Sequence, residues 1–488
     1  DVQDEEAACR QLAEAGFAEP QSAWQRLAGL RNGNQVRAMQ RLGRERLDAF
    51  IPRLLAQAVE HENPDLVLER VLPLVEAVAR RSAYLVLLTE NPDALRRLLT
   101  LCAASPWIAE QITRFPLLLD ELLNEGRLFK PPLAPELAAE LRERLMRIPE
   151  EDLEQQMEAL RHFKLAHRLR VAASEIAGTL PLMKVSDYLT WLAEAILDQV
   201  LALAWRHTVS RYGAPRRADG SVCDPDFVIV GYGKVGGIEL GHGSDLDLVF
   251  IHDGDPHAET DGEKSIDGAQ FFNRLGQRII HLLTTQTNSG QLYEVDMRLR
   301  PSGASGLMVS EIARFSEYQT QEAWTWEHQA LVRSRFVFGD NSLAVKFSQI
   351  RASVLEQPRD KDELKKAVRE MRQKMRDHLL KVAEGEFDLK QSPGGIADIE
   401  FIAQYLVLAN AHEYPELSIW SDNVRIFGVL AELELLPLMS AQHLTQSYCW
   451  LRDENHRLTL QQKSGKLAYA DVAAHAERIL AIYQTILE

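Results

Sequence analysis

Two short acidic patterns in this chain could carry chemistry. Asp245 and Asp247 flank Leu246 at the start of an apolar run ending at Ile251, directly after the glycine-rich stretch Gly231-Tyr-Gly-Lys-Val-Gly-Gly-Ile-Glu-Leu-Gly-His-Gly-Ser244. In a strand, residues two apart share a face, so the two carboxylates project together while Leu246 and Leu248 turn to the core. At a spacing of ~6.6 Å and an effective dielectric of about 20, two bare charges repel by roughly 2.5 kcal/mol. A cation should sit between them, and hard carboxylate oxygens suit Mg²⁺ shared with substrate phosphates. A third acid, Asp296, lies in Gln291-Leu-Tyr-Glu-Val-Asp-Met-Arg-Leu-Arg300, where Glu294, Asp296, Arg298 and Arg300 alternate with apolar residues. As a strand beside the first, this segment would bring Asp296 to the pair. Two metal ions could then be held, one on nucleotide phosphates and one lowering the pKa of an attacking hydroxyl. Arg298 and Arg300 would steady phosphate oxygens. Gly236 and Gly237 would let the backbone approach a phosphate and turn its N–H groups inward, Ser244 would extend that nest with its hydroxyl, and Lys234 would add a mobile positive charge.

Elements that position these residues can be read from the surrounding pattern. From Glu5 to about Arg206, apolar residues recur at three- and four-residue spacing, as in helices. Breaks are expected at Asn32-Gly33-Asn34, Glu62-Asn63-Pro64, Ser105-Pro106, Phe115-Pro116, Pro131-Pro132 and Gly178 through Pro181. After Gly213-Ala214-Pro215 the character changes. Strands are expected at Phe227–Val230, Leu246–Ile251 and Leu292–Leu299, with a helix over Phe271–Leu283 between the last two. This α+β block closes near Phe338-Gly339-Asp340, and helix-type sequence resumes from about Lys361. The expected division is a helical domain over 1–199, a central catalytic domain over 200–345 and a helical bundle over 346–488.

Bulk composition narrows the class. At 488 residues the chain exceeds one compact core, and about three units is the natural prior. Hydrophobic residues at 46% and charged ones at 26% exclude a largely disordered chain. A net charge of −16 spread along the chain argues against gripping nucleic acid, which needs a basic stripe. One triphosphate, by contrast, needs only a few local cations. Cys9, Cys102, Cys223 and Cys449 stand far apart without a CxxC pair, which suggests neither disulfides nor zinc and fits a reducing cytoplasm. No stretch reaches the ~18 apolar residues that span a bilayer, and no signal peptide precedes the first helix. The chain begins at Asp1 without a methionine, and we expect it to be a piece of something longer.

Gly-Tyr-Gly-Lys-Val-Gly-Gly-Ile-Glu-Leu, Ser-Asp-Leu-Asp-Leu and Val-Asp-Met-Arg-Leu-Arg-Pro-Ser-Gly resemble the nucleotidyltransferase superfamily and, closely, the glutamine synthetase adenylyltransferases. Ser105-Pro-Trp-Ile-Ala-Glu, Phe115-Pro-Leu-Leu-Leu-Asp120 and Leu160-Arg-His-Phe-Lys164 look like that family's helical leader. Trp326-Glu-His-Gln-Ala-Leu-Val-Arg333 and Lys390-Gln-Ser-Pro-Gly-Gly-Ile-Ala-Asp-Ile-Glu400 look like its post-catalytic blocks. The resemblance implies a polymerase-β-like mixed sheet with flanking helical domains, and transfer of AMP from ATP, with two Mg²⁺ ions, to a tyrosine of glutamine synthetase. It implies further partners: the PII signal protein, glutamine as effector, and an adenylyl-removing half on the parent chain. Family members carry two nucleotidyltransferase domains and this chain carries one. Gly241-His242, where the other copy usually has an asparagine-aromatic pair, resembles the adenylylating copy.

Plainer readings stand beside these. The three aspartates could be solvated acids at strand ends, but the charged face, the glycine turn and the family wording agree against that. Glu327 and Glu400 stand between lining the site and the solvated or paired state usual for helix acids. Trp324 and Trp326 could stack an adenine, though aromatics near a domain junction more often pack a core. His242 could touch phosphate, though a turn histidine is more often exposed to water. Two rival functions share the motifs: a uridylyltransferase of the PII protein, and a helical scaffold that only senses ATP.

Overall fold

The computed structural model describes residues 5–488, and contacts divide the chain into two compact units. One comprises the chain up to Pro131 with Leu165–Pro181 and Arg457–Lys463. It is helical, and the predicted breaks fall between its elements for clear local reasons. Asn63 caps the Pro64–Val78 helix by accepting from the Leu66 N–H, and Ser105 caps the Pro106–Arg114 helix by accepting from Ile108. The proline after each cap has no N–H to satisfy and a φ suited to a first helical turn. Phe50, Leu54, Val67, Leu68, Val71, Leu98 and Ile112 close the core of this unit.

The second unit comprises Pro132–Lys164, Leu182–His456 and Ser464–Glu488, and is built around a mixed sheet. Its strands are β1 (Phe227–Gly231), β2 (Leu246–His252), β3 (Val295–Asp296), β4 (Val309–Glu311) and β5 (Arg335–Gly339). The order is β3-β2-β1-β5, with β4 also on β2. β1 runs antiparallel to β2 and β5, whereas β2 runs parallel to β3 and β4. β1 is buried along its whole length, as are Leu246 and Leu248 through Ile251 of β2. That burial requires cover on both faces. The Gly268–Thr284 helix covers one with Phe271, Leu275, Ile279 and Leu282, spaced three or four apart on one stripe. The long Leu182–Tyr212 helix packs on it, with Trp205 edge-on to Phe271 at 5.3 Å. A two-stranded ribbon, β6 (Glu386–Asp388) with β7 (Lys466–Ala468), lies among the later helices.

Three expectations need correction. The run Leu292–Leu299 forms a strand only at Val295–Asp296. Beyond it the Arg298 N–H donates to Asp296 Oδ1 at 2.8 Å, Pro301 offers no N–H, and Ser302 and Gly303 take positive φ, so the chain turns instead of pairing. Glu294, Asp296, Arg298 and Arg300 therefore do not form one strand face. Helix also resumes before Lys361: Asp340 accepts from the Leu343 N–H and starts Asn341–Leu355 immediately after β5. The short strands β4 and β5, with the helices Ile312–Gln321 and Thr325–Val332 between them, belong to the same sheet-centred unit.

Candidate active site

Register places the acids. Asp247 is paired with Asp296 across the parallel β2–β3 contact, so both side chains rise on one face of neighbouring strands, and Asp245 sits just before β2. One oxygen from each of Asp245, Asp247 and Asp296 lies within 4.8 Å of the others. Burial and the charges of Asp245 and Asp296 push the Asp247 carboxyl up to about 6. The Arg298 guanidinium holds Asp296 below the usual carboxylate range, with Nε 2.7 Å from Oδ2. Three converging carboxylates form a hard-oxygen donor set that fits a divalent cation such as Mg²⁺.

The glycine turn serves this cluster by close packing. Gly233 has φ +52°, and a Cβ there would lie 2.5 Å from Asp247 Oδ2. Gly236 and Gly237 were expected to cradle a phosphate, but their N–H groups donate to Tyr232 and Gly233 carbonyls. A Cβ on Gly236 would lie 1.9 Å from the Arg333 carbonyl, so this glycine permits backbone contact with protein. Ser244 accepts from the Gly241 N–H at 3.0 Å, closing the turn that aims Asp245. Arg300 donates to the carbonyls of Met297, Ala304 and Gly306, bracing the turn after β3. Lys234 keeps part of its side chain open to solvent at the site, while the protein atoms crowded around its ammonium and the charge of Lys390 lower its pKa and Glu400 and Asp245 oppose that shift.

Lys390 was missed as a site residue, although it opens a block noted in the sequence. Its charge reaches Asp247, Lys234 and Glu400. Its loop is pinned from below. Asp388 accepts from the Lys390 and Gln391 N–H groups, and the wholly buried Arg372 donates to the Gln391 carbonyl at 2.9 Å and to Asp398 at 2.6 Å. Arg333 was missed as well. It is buried between Glu239, which follows the glycine turn, and Glu400; Tyr448 donates to Glu239 at 2.6 Å. This network fixes the turn against later helices of the same unit.

Other placements differ from expectation. Glu327 does not line the site: it is buried, accepting from the Tyr318 hydroxyl at 2.8 Å and the Trp324 N–H at 2.9 Å as a helix-start cap. Trp324 is 71% exposed and packs no core, and Trp326 is half-buried. His242 is buried, not exposed, with its ring edge-on to His456 at 5.9 Å.

Comparison with known proteins agrees with these local patterns. Residues 362–467 match the family model for GlnD PII-uridylyltransferase. The chain is 68% identical over 494 residues to a bifunctional glutamine synthetase adenylyltransferase/adenylyl-removing enzyme of Pseudomonas putida, covering 99% of this chain and 51% of that protein. A protein of the same name from Shewanella oneidensis is 65% identical over 490 residues, 100% of this chain and 51% of its own length. One from Thioalkalivibrio sulfidiphilus is 50% identical, with 98% and 49% covered. The chain thus spans about half the length of the curated relatives it matches. No helix among the described residues is long and apolar enough to cross a membrane. The family model for glutamate-ammonia ligase adenylyltransferase matches residues 95–350, the segment that carries the sheet and its carboxylates and more than half of the chain, and the chain belongs to that family.

Proposed function

We propose that this chain is the adenylylating half of a two-part enzyme and transfers AMP from ATP to a tyrosine hydroxyl of glutamine synthetase, releasing pyrophosphate. The observation that carries the reading is the convergence of Asp245, Asp247 and Asp296 within 4.8 Å, inside the segment that matches the family. The sheet is read as the polymerase-β-like nucleotidyltransferase sheet. Asp245, Asp247 and Asp296 would hold Mg²⁺, two ions with ATP bound, which supply charge neutralisation at the phosphates and a lowered pKa for the attacking hydroxyl.

The chain's own groups do the rest. Asp247, with its raised pKa, and Asp296 crowd negative charge where the nucleotide's cation belongs. Lys234 and Lys390 bring mobile positive charge for the triphosphate and the leaving pyrophosphate. Arg298 is 83% exposed at its side chain and can exchange the Asp296 carboxylate for a phosphate oxygen. The incoming tyrosine hydroxyl would lose its proton near Asp296 before attack on the α-phosphorus. Gly236, Gly237, Ser244 and Arg300 act on the nucleotide indirectly, by setting the two turns that hold these groups. The PII signal protein, glutamine and the adenylyl-removing half are proposed as regulatory partners, in a cytoplasmic setting.

The match of residues 362–467 to the PII-uridylyltransferase family keeps one rival specific. Incubating the chain with glutamine synthetase, Mg²⁺ and α-labelled ATP or UTP separates the two. Acid-stable label from ATP is expected; a preference for UTP, or no label from either, would overturn the reading.

A further inference from the structure

A second charged crevice lies on the sheet-centred unit, between the helices Leu182–Tyr212 and Gly268–Thr284. It has a volume of about 360 Å³ and is lined by His207, Thr208, Arg211, Tyr212, Arg274, Gln277, Arg278 and His281. It shares no residue with the carboxylate cluster. Three guanidiniums and two imidazoles gather there in a chain of net charge −16, and no aspartate or glutamate lines it.

Helical spacing makes this arrangement costly unless something offsets it. His207 and Arg211 are four apart on one helix; Arg274 and Arg278 are four apart on the other, with His281 three further on. The like charges of Arg274 and Arg278 at this spacing destabilise a helix. Elsewhere the chain answers such charges, as where neighbouring Arg206 pairs with Glu150 at 2.7 Å. Tyr212 organises the crevice: Arg211 and Arg274 lie over its ring at 5.2 and 5.0 Å, and Arg274 donates to its hydroxyl at 3.0 Å. Arg278 Nε is buried without a hydrogen-bond acceptor. Arg278 thus keeps unused donor capacity beside two cationic neighbours, with no carboxylate lining the crevice to answer them.

From this geometry we infer that the crevice formed by Arg211, Arg274 and Arg278 binds a small phosphate-bearing anion, distinct from the nucleotide at the carboxylates. A phosphate group fits better than a carboxylate. Guanidiniums reaching in from two helices approach from different directions, and a tetrahedral oxyanion accepts from several faces whereas one carboxylate offers a single planar edge. The small volume favours a free ligand over a macromolecular surface.

The test titrates the full chain with pyrophosphate by calorimetry in excess EDTA, where the carboxylate cluster lacks a cation and repels the probe. ATP and citrate are titrated alongside. Pyrophosphate should bind the unaltered chain, and Arg278→Gln should weaken it by about tenfold or more, the loss expected for a charge-assisted hydrogen bond. Arg211→Gln with Arg274→Gln, both at exposed positions, should do the same, so the test survives if Arg278→Gln misfolds. ATP binding that falls in step assigns the phosphate to a nucleotide; pyrophosphate binding alone assigns a free phosphate. Equal affinity in unaltered and substituted chains, no binding by the unaltered chain, or citrate binding as tightly as pyrophosphate would each overturn the proposal.

Discussion

At Asp247 burial and two neighbouring carboxylates act together, and its ionisation is the electrostatic focus of the site. Asp245→Asn or Asp247→Asn should lower AMP transfer by about a thousandfold or more while circular dichroism stays unchanged, because a charge is lost at the metal position without a core cavity. Transfer near the unaltered rate would contradict the assignment. Asp296 and Arg298 should fail differently. Asp296→Ala should depress single-turnover rate and leave ATP binding partly intact, whereas Arg298→Ala should weaken ATP affinity by roughly ten- to a hundredfold. At His252, burial holds the imidazole down to about 4. It is neutral in the fold and protonates more readily when unfolded, so its contribution is complete above 6.5 and lost as pH falls from 6.5 toward 4. At ~1.36 kcal/mol per pH unit this amounts to about 3 kcal/mol, and His252→Gln should flatten the pH dependence of the thermal midpoint over that window. The meeting of the three acids was legible because strand alternation and a specific motif point the same way. Arg300 misled because its alternation suits a strand, and only the turn after Asp296, started by that residue's own side chain, shows otherwise.

Strand β1 was legible as a continuous apolar run, and β2 as an apolar run broken only by the site residue Asp247, as in sheet buried on both faces. β3 was expected but too long, since only Val295–Asp296 of Leu292–Leu299 pairs, and β4, with three residues, is too short to show a period. Their pairing with β2 is tertiary in origin. The helix Asn341–Leu355 was overlooked although Asp340 gives it a cap of the usual kind. Among the turns, Gly233 is the most demanding. Gly233→Ala would place a methyl on the Asp247 carboxylate and force a left-handed residue, at about 1–2 kcal/mol for the backbone alone. Activity should fall by more than the change in thermal midpoint explains; an unchanged rate would show that the turn does not position Asp247.

Over the whole molecule, Arg333 joins three separate parts of the sheet-centred unit. Glu239 from the glycine turn, Glu400 from the Ile396–Asn410 helix and, through Glu239, Tyr448 meet on or around its guanidinium. Both acids keep its pKa well above its ordinary value despite burial. Arg333→Met would remove the nearest cation of the buried Glu239, leaving it Arg452 at 3.9 Å and the Tyr448 hydroxyl, at a cost of about 2–4 kcal/mol, and should show as early unfolding in denaturant. Glu400→Gln, at a partly exposed position, should cost less. None of this was readable from sequence, since the partners lie far apart in the chain and a lone arginine or glutamate carries no pattern.

If Asp245, Asp247 and Asp296 together hold the metal that brings in the nucleotide, metal and nucleotide should bind and be lost together. Mn²⁺ binding followed by electron paramagnetic resonance, with a non-hydrolysable ATP analogue present, tests it directly. About two ions should bind per chain, with affinity lower by about tenfold or more in Asp247→Asn and the analogue released in parallel. Unchanged Mn²⁺ stoichiometry and affinity in Asp245→Asn and Asp247→Asn would contradict it.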